Sequence, residues 1–160
     1  MKQKILIIGI IVLASLALAV IFLYPEINQP PKPTDFMDVV IIMERSPCYG
    51  FCPAYSLTIY GDGTVIYEGK MSVNVTGKRT SKISQNKVKE LVDEFYRINY
   101  FSLKDKYDRP ITDIPHTITS IKINGKYKSV YNRAGGPREL NELENKIDEV
   151  TNSKQWVKGE

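Results

Sequence analysis

The N-terminal part of the chain is its most apolar stretch. No charged residue lies between Ile5 and Tyr24, and apolar side chains would fall on every side of a helix formed there. A helix rises about 1.5 Å per residue, so about twenty residues span the roughly 30 Å hydrocarbon core of a bilayer. The pattern therefore predicts a transmembrane signal-anchor over residues 5–24.

Residues in and around this run indicate its orientation and whether it is cleaved. Lys2 and Lys4 precede it, and positive residues favour the cytoplasmic side, so the chain after the run is expected outside the cytoplasm. Ala17-Leu18-Ala19 fits a signal-peptidase site, and cleavage after Ala19 would give a secreted protein. Because the apolar run continues to Tyr24, beyond the roughly 7 to 15 residues typical of a cleaved signal, we favour an uncleaved, single-pass anchor in the cell membrane.

A proline-rich segment follows the anchor. Residues 25–35 contain prolines at four positions among polar neighbours, a composition typical of extended polyproline II. At about 3.1 Å per residue, this stalk is expected to hold the rest of the chain some tens of ångströms from the bilayer. The predicted organisation is a cytoplasmic segment at 1–4, the anchor at 5–24, the stalk at 25–35 and a folded domain outside the cytoplasm at 36–160.

After residue 36 the apolar pattern first predicts strands. The continuous apolar run 39–43 suits a central strand. Residues 55–60 and 64–67 alternate on either side of Gly61-Asp62-Gly63, which predicts a hairpin. Met71, Val73 and Val75 alternate again and predict a further strand that ends near Gly77.

A second hairpin and two helices complete the pattern. Asn124-Gly125 suits the positive φ angles of a type I′ turn between strands at 117–123 and 127–131. Ser84 is a suitable N-cap for a first helix, and Gly136-Pro137 opens a second. Their inward positions are predicted to be Val88, Leu91, Val92, Phe95 and Ile98 in the first, and Leu140, Leu143, Ile147 and Val150 in the second.

The order of these elements predicts an α+β fold. Strands precede the first helix and tight turns join them, which is typical of an antiparallel sheet of about 5–6 strands with two helices packed on one face. On the second helix, Glu144 and Asp148 are expected on the outward, solvated side.

The net charge of the chain does not indicate a strongly charged partner. The formal net charge is +4, and setting aside Lys2 and Lys4 from the 22 basic residues leaves the remainder nearly balanced against 18 acidic ones. The densest basic stretch, from Lys78 to Lys89, is interrupted by polar residues and is interpreted as a solvated edge. A nucleic-acid partner is therefore not expected, because it requires a clustered basic face.

One stretch resembles a known family. The segment from Ile42 to Gly63, which includes Cys48-Tyr49-Gly50-Phe51-Cys52-Pro53, resembles the opening signature of a prokaryotic family catalogued as domain of unknown function 6438. Further segments that fit its pattern are Tyr100-Phe101-Ser102-Leu103, Tyr107, Thr112-Asp113-Ile114-Pro115, Asn124-Gly125-Lys126, Pro137, Leu140 and Ile147-Asp148. The resemblance covers about Asp38 to Trp156. It implies an exported or lipid-anchored domain and carries no established activity over to these residues.

The chain has two cysteines, Cys48 and Cys52. Both lie in the part predicted outside the cytoplasm, where thiols oxidise, so a disulfide is expected. Chain-entropy arithmetic for a loop of about five residues gives roughly 2 kcal/mol, which suits a bond that shapes a loop. A redox role is the alternative, although the spacing is not the two-residue motif of thioredoxin-like proteins. With His116 distant in sequence, these cysteines do not form a recognisable four-ligand metal site, so neither a metal nor a cofactor is expected.

Tyr49 and Phe51 lie inside the loop that the disulfide would close. If both rings point outward, they form an ordered aromatic tip that binds a partner at a low entropic cost. The alternative is that one ring packs back over the sheet edge. Arg45, just before the loop, is a further candidate binding residue.

A polar group later in the chain is the third candidate for chemistry. His116 follows Asp113, which would orient it as a general base or pH sensor, with Tyr107 and Arg45 as further members. No nucleophile motif accompanies them, so no residue is assigned as catalytic.

The favoured interpretation is a non-enzymatic module that binds an envelope protein or wall component. The first alternative is a thiol redox protein or sensor that uses Cys48 and Cys52. The second is a small envelope hydrolase around Asp113 and His116.

Overall fold

The computed structural model describes Leu13, Ser15 and residues 29–159. The predicted cytoplasmic segment, nearly all of the predicted anchor and the first four residues of the predicted stalk lie outside this part. Within it, no helix is long and apolar enough to cross a bilayer. The anchor therefore remains a prediction from sequence.

Seven strands form one sheet in the order β4-β3-β2-β1-β6-β7-β5. They are β1 (Val40–Arg45), β2 (Ala54–Tyr60), β3 (Thr64–Met71), β4 (Gly77–Lys82), β5 (Lys106–Tyr107), β6 (Thr117–Ile123) and β7 (Lys126–Asn132). Neighbouring strands are antiparallel except β5, which runs parallel to β7. The α+β prediction is confirmed, but the sheet is mixed and has more strands than the five or six expected.

The two main helices are α1 (Gln85–Arg97) and α2 (Arg138–Thr151). They occupy the two segments in which the sequence predicts helices. Ser84 caps α1 as predicted, because its side chain accepts a hydrogen bond from Lys87 N. Pro137 lies one position before α2, at its N-cap, where the missing N–H costs nothing. Shorter elements are a 3₁₀ turn at Tyr100–Ser102 and a one-turn helix α3 at Lys154–Val157.

The two helices cover one face of the sheet. Along β1, Ile41 and Met43 are 0% exposed while Ile42 between them is 38% exposed, as expected when side chains alternate between a core face and a solvent face. The apolar stripes of α1 and α2 share the core with Ile41 and Met43. Fully burying an aliphatic side chain of this kind stabilises the fold by about 1.5–3 kcal/mol. The predicted one-sided packing is therefore confirmed.

The strand predicted through Met71, Val73 and Val75 is wrong. β3 ends at Met71, and the following loop donates backbone hydrogen bonds from Asn74 and Val75 to the chain beyond α2, at 3.0 and 2.9 Å. The strand that pairs with β3 is instead β4, which contains the first part of the basic stretch from Lys78 to Lys89 and lies at the edge of the sheet. All its residues are exposed or half-buried, so an edge strand of this kind has no apolar alternation for a sequence pattern to detect.

The described part of the predicted stalk lies against the domain. Pro30 is buried, and the carbonyl of Pro31 accepts hydrogen bonds from Tyr96 Oη at 2.9 Å and Asn124 Nδ2 at 2.7 Å. Lys32 forms an ion pair with Asp93 at 2.6 Å. Polyproline II leaves its carbonyls without internal partners, and here the domain supplies the donors. Residues 30–32, which the sequence pattern assigns to the stalk, therefore contact the folded domain.

This docking defines two ends of the sheet. The stalk end holds Pro31, the turn at Asn124-Gly125 and the start of β1 at Val40, which pairs with Lys122. Asn124 and Gly125 have φ angles of 48° and 72°, so the predicted type of turn is confirmed. The distal end lies where β1 finishes at Arg45. At about 3.3 Å per residue, the two ends are separated by about 17 Å of strand.

Candidate functional site

An ion pair between Arg45 and Asp148 forms the centre of the distal end. Arg45 is the last residue of β1 and follows Ile41 and Met43 on the core face, so its side chain extends towards α2. Its Nε and Nη2 donate to Asp148 Oδ2 at 3.0 and 2.8 Å, and its Nη1 donates to Thr117 Oγ1 at 3.2 Å. The pair therefore joins the sheet to the last turns of α2.

Two hydroxyl groups complete the hydrogen bonding of Asp148. Tyr55 Oη and Ser153 Oγ both donate to Asp148 Oδ1 at 2.6 Å. Burial raises the pKa of Tyr55, and the Asp148 carboxylate raises it further. Burial alone would lower the pKa of Arg45, but Asp148 reverses this and leaves it raised. Asp148 thus accepts four hydrogen bonds, two on each of its carboxylate oxygens.

A second carboxylate lies one turn earlier on α2. Glu144 is 4% exposed, and its Oε1 accepts a hydrogen bond from Asn132 Nδ2 at 3.0 Å. The same amide nitrogen donates to Asn141 Oδ1 at 2.9 Å. Burial raises the pKa of Glu144, although Asn132 and Arg45 act in the opposite direction. The Glu144 carboxyl group is therefore largely shielded from solvent.

Two cavities open beside these side chains. The larger has a volume of about 800 Å³ and is called here the Arg45 cavity. The residues that line it are Arg45, Ser46, Cys52, Pro53, Tyr55, Pro115, His116, Thr117, Asn145, Asp148, Glu149, Asn152, Ser153, Lys154, Val157 and Lys158. A smaller cavity of about 400 Å³ lies on the Glu144 side. Arg45 and Thr117 line both cavities, so the guanidinium group stands at the border between them.

The cysteine loop forms one wall of the Arg45 cavity. The Sγ atoms of Cys48 and Cys52 are 1.93 Å apart, at disulfide bonding distance, and the Cα atoms are 5.5 Å apart. Cys52 and Pro53 line the cavity. Tyr49 and Phe51, at the tip of the loop, are 92% and 97% exposed. Both rings point outward, so the alternative of one ring packed over the sheet edge does not hold.

The structure does not bring Asp113, His116 and Tyr107 into one cavity. His116 lines the Arg45 cavity, whereas neither Asp113 nor Tyr107 does, and no hydrogen bond joins any two of the three in the part of the chain described. The His116 ring stacks on Tyr131 with centroids 4.6 Å apart, and Tyr107 Oη accepts from Lys104 N. The hydrolase alternative therefore lacks the convergence of groups that it requires.

Sequence interpretation missed the two carboxylates. Glu144 and Asp148 were expected on the outward side of α2, but both face the sheet. Glu144 lies four residues after Leu140 and three before Ile147, which places it within the apolar stripe. That spacing was the available signal. Among residues 29–159, no three His, Cys, Asp or Glu side chains are grouped to hold a metal ion.

These features define a small α+β domain with a mixed sheet covered on one face, a polar cavity at the end of its central strand, and a cysteine loop beside that cavity. Residues 39–151 match the family described as Domain of unknown function (DUF6438). The chain belongs to that family, and the resemblance noted in the sequence is confirmed. No curated protein matches the chain.

Proposed function

We propose that the chain is a membrane-anchored binding module outside the cytoplasm, without enzymatic activity of its own. It would contact an envelope protein or wall component through the cysteine loop and the adjoining Arg45 cavity. The observation that carries this proposal is the exposure of Tyr49 and Phe51, 92% and 97%.

Exposed aromatic side chains on an ordered loop are favourable contact groups. Aromatic residues are enriched among the side chains that contribute most to binding. The loop between Cys48 and Cys52 is short and closed at its base, so Tyr49 and Phe51 lose little conformational freedom when a partner covers them. A monomer gains nothing in stability from two aromatic rings held in water, which favours a role in contact.

The arrangement of the two ends also supports the proposal. Gln29 Nε2 donates to Asn99 Oδ1 at 2.5 Å, and Pro31 is bound at the stalk end. Five residue-to-residue steps join Tyr24, the end of the predicted anchor, to Gln29, and at about 3.5 Å each they reach at most about 18 Å. The stalk end would then stay near the membrane, while the Arg45 cavity and the aromatic tip would face away from it.

A photo-cross-linking experiment on the full chain in its own membrane tests this function. A photoreactive phenylalanine analogue replaces Tyr49 or Phe51 in separate variants, and it replaces Tyr127, 65% exposed at the stalk end, as the matched control. We expect one discrete cross-linked product from positions 49 and 51 that position 127 does not give. Identical products from all three positions, or none from 49 and 51, would contradict the proposal.

The location is tested separately. A membrane-impermeant maleimide reagent is applied to intact cells carrying Lys78→Cys, a position on the exposed edge strand β4. Labelling before lysis supports a domain outside the cytoplasm, and labelling only after lysis contradicts it.

A thiol redox function is the second candidate. Both cysteines are half-buried, and Cys52 lines the Arg45 cavity, so a thiol substrate has access to one sulfur from that side. This function requires a reduction potential well above that of a structural disulfide.

A further inference from the structure

The carboxylates of the Arg45 cavity are paired within the domain, while several of its hydrogen-bond donors are not. Asp148 accepts from Arg45, Tyr55 and Ser153. Glu149, the other carboxylate in the lining, pairs with Lys146 at 3.1 Å. The carboxylates that line the cavity are therefore already compensated.

Arg45 keeps unused donors. A guanidinium group carries five N–H bonds, and three of them are directed to Asp148 and Thr117. One N–H on each terminal nitrogen remains. The side chain is 24% exposed and borders the cavity, so these two donors are available to a ligand. N–H donors of a guanidinium group are well suited to a carboxylate, which accepts hydrogen bonds on both of its oxygens.

Two lysines add positive charge to the same cavity. Lys154 and Lys158 both line it and are exposed, and neither forms an ion pair with another residue in the range 29–159. They lie one turn apart, since Lys158 N donates to Lys154 O at 2.8 Å. Like charges at this spacing repel each other. An anion beside both ammonium groups would relieve that repulsion.

We propose that the Arg45 cavity binds a carboxylate of a peptide segment, either an acidic side chain or a C-terminus. This inference rests on the proposed binding function and names the chemistry of the partner. The free N–H groups of Arg45 donate to the carboxylate, and Lys154 and Lys158 supply the countercharge. A singly charged carboxylate is favoured over a doubly charged phosphate because Glu144, Asp148 and Glu149 lie close by.

The walls of the cavity favour a peptide over a sugar. Pro53, Pro115 and Val157 line it beside the polar groups. These side chains present aliphatic surface to an apolar neighbour of the acidic residue. Of the ring-bearing side chains in the lining, Tyr55 is only 4% exposed and the His116 ring is stacked on Tyr131. The exposed rings of Tyr49 and Phe51 lie on the loop outside the lining.

The test compares two model compounds that differ only in the carboxylate. Acetyl-glutamate methylamide and acetyl-glutamine methylamide are titrated into the full chain in detergent micelles. The readout is the fluorescence of Trp156, the one tryptophan of the chain, which precedes the cavity residue Val157. We expect saturable binding of the glutamate compound and at least roughly tenfold weaker binding of the glutamine compound, since a hydrogen-bonded charge contributes about 1.5–3 kcal/mol.

Variants locate the binding. Lys154→Gln with Lys158→Gln should weaken binding of the glutamate compound roughly tenfold or more. The matched control is Lys122→Gln with Lys126→Gln, two exposed lysines at the stalk end, which changes the net charge equally and should leave binding unchanged. An equal loss in both double variants would show non-specific attraction and overturn the proposal, as would equal binding of both compounds or no saturable response.

Two further probes separate the sources of an anion. Tighter binding of inorganic phosphate would assign the cavity to a phosphate group, and tighter binding of glucuronate to an acidic sugar. Either result overturns the peptide proposal. Glutamate binding without cross-links at Tyr49 or Phe51 would contradict only the wider binding function. Cross-links at Tyr49 or Phe51 together with no saturable glutamate binding by the unsubstituted chain would contradict only this inference.

Discussion

Arg45 and Asp148 lie 103 positions apart in the chain, yet two nitrogens of one side chain donate to a single carboxylate oxygen of the other, at 3.0 and 2.8 Å. Their side chains are only 24% and 17% exposed. The pair connects the end of the central strand with the last turns of α2, and it shapes the cavity to which we assign binding.

Asp148→Ala should lower the free energy of unfolding by about 3 kcal/mol, because it leaves the Arg45 guanidinium largely buried without its partner. The matched control is Lys70→Ala, which removes one partner of an exposed ion pair with Glu44 on the neighbouring position of β1. There the side chains are 45% and 43% exposed, and a loss below about 1 kcal/mol is expected. Urea unfolding of both variants measures the difference, and equal losses would show that the Arg45 pair has no special role in stability.

Tyr55→Phe should cost about 1.5 kcal/mol, since it removes a hydrogen bond donated to a charged carboxylate and leaves the ring packing unchanged. The Tyr55 hydroxyl lies 2.6 Å from Asp148 Oδ1. Tyr60→Phe is the control, because that ring is 39% exposed on the other face of the sheet. Thermal unfolding compares them, and a cost for Tyr55→Phe no larger than that for Tyr60→Phe would contradict the assigned hydrogen bond.

Much of the fold follows from patterns that the sequence displays locally. The run 39–43 is the centre of the sheet, Asn124-Gly125 forms its tight turn, and Ser84 begins α1. Each depends on side chains close together in sequence. β4 was missed because an edge strand buries neither face, and β5 was missed because it has only two residues.

The candidate site was predictable only in part. The cysteine loop and its aromatic tip are contiguous in sequence, so their grouping was visible. Arg45 was named as a candidate, but its partner was not, because strand order and helix placement decide which distant residues meet. Asp113 and His116 show the converse, since proximity in the chain did not bring them to a common cavity.

Glu144→Gln should make the protein more stable at neutral pH. Because burial raises the pKa of Glu144 above its ordinary 4.5, the folded state binds more protons than the unfolded state between 4.5 and the folded pKa. Stability therefore falls as pH rises through that window, and it is regained below pH 4.5. The advantage of the variant should be present at pH 7 and shrink as pH falls towards 4.5.

Melting temperatures measured from pH 4 to pH 8 test this sign. Glu142→Gln, on the exposed side of the same helix, controls for the general effect of removing one carboxylate. A wild-type protein that is more stable than Glu144→Gln at pH 7 would show that the buried carboxylate stabilises the fold in its charged form.

The disulfide should behave as a structural clamp. Opening a loop of about five residues, by Cys48→Ser with Cys52→Ser, is expected to lower the free energy of unfolding by roughly 2 kcal/mol. By the same thermodynamic cycle, folding stabilises the disulfide by that amount. The midpoint reduction potential of the folded protein should therefore lie about 40 mV below that of the unfolded chain, for a two-electron couple. The midpoint potential of the full chain, with thermal stability followed in both redox states, decides between the two candidate functions. A potential below roughly −300 mV, with stability lost on reduction, supports a clamp that orders Tyr49 and Phe51 for binding. A potential nearer −200 mV, with an unchanged fold, would make the redox function the leading one.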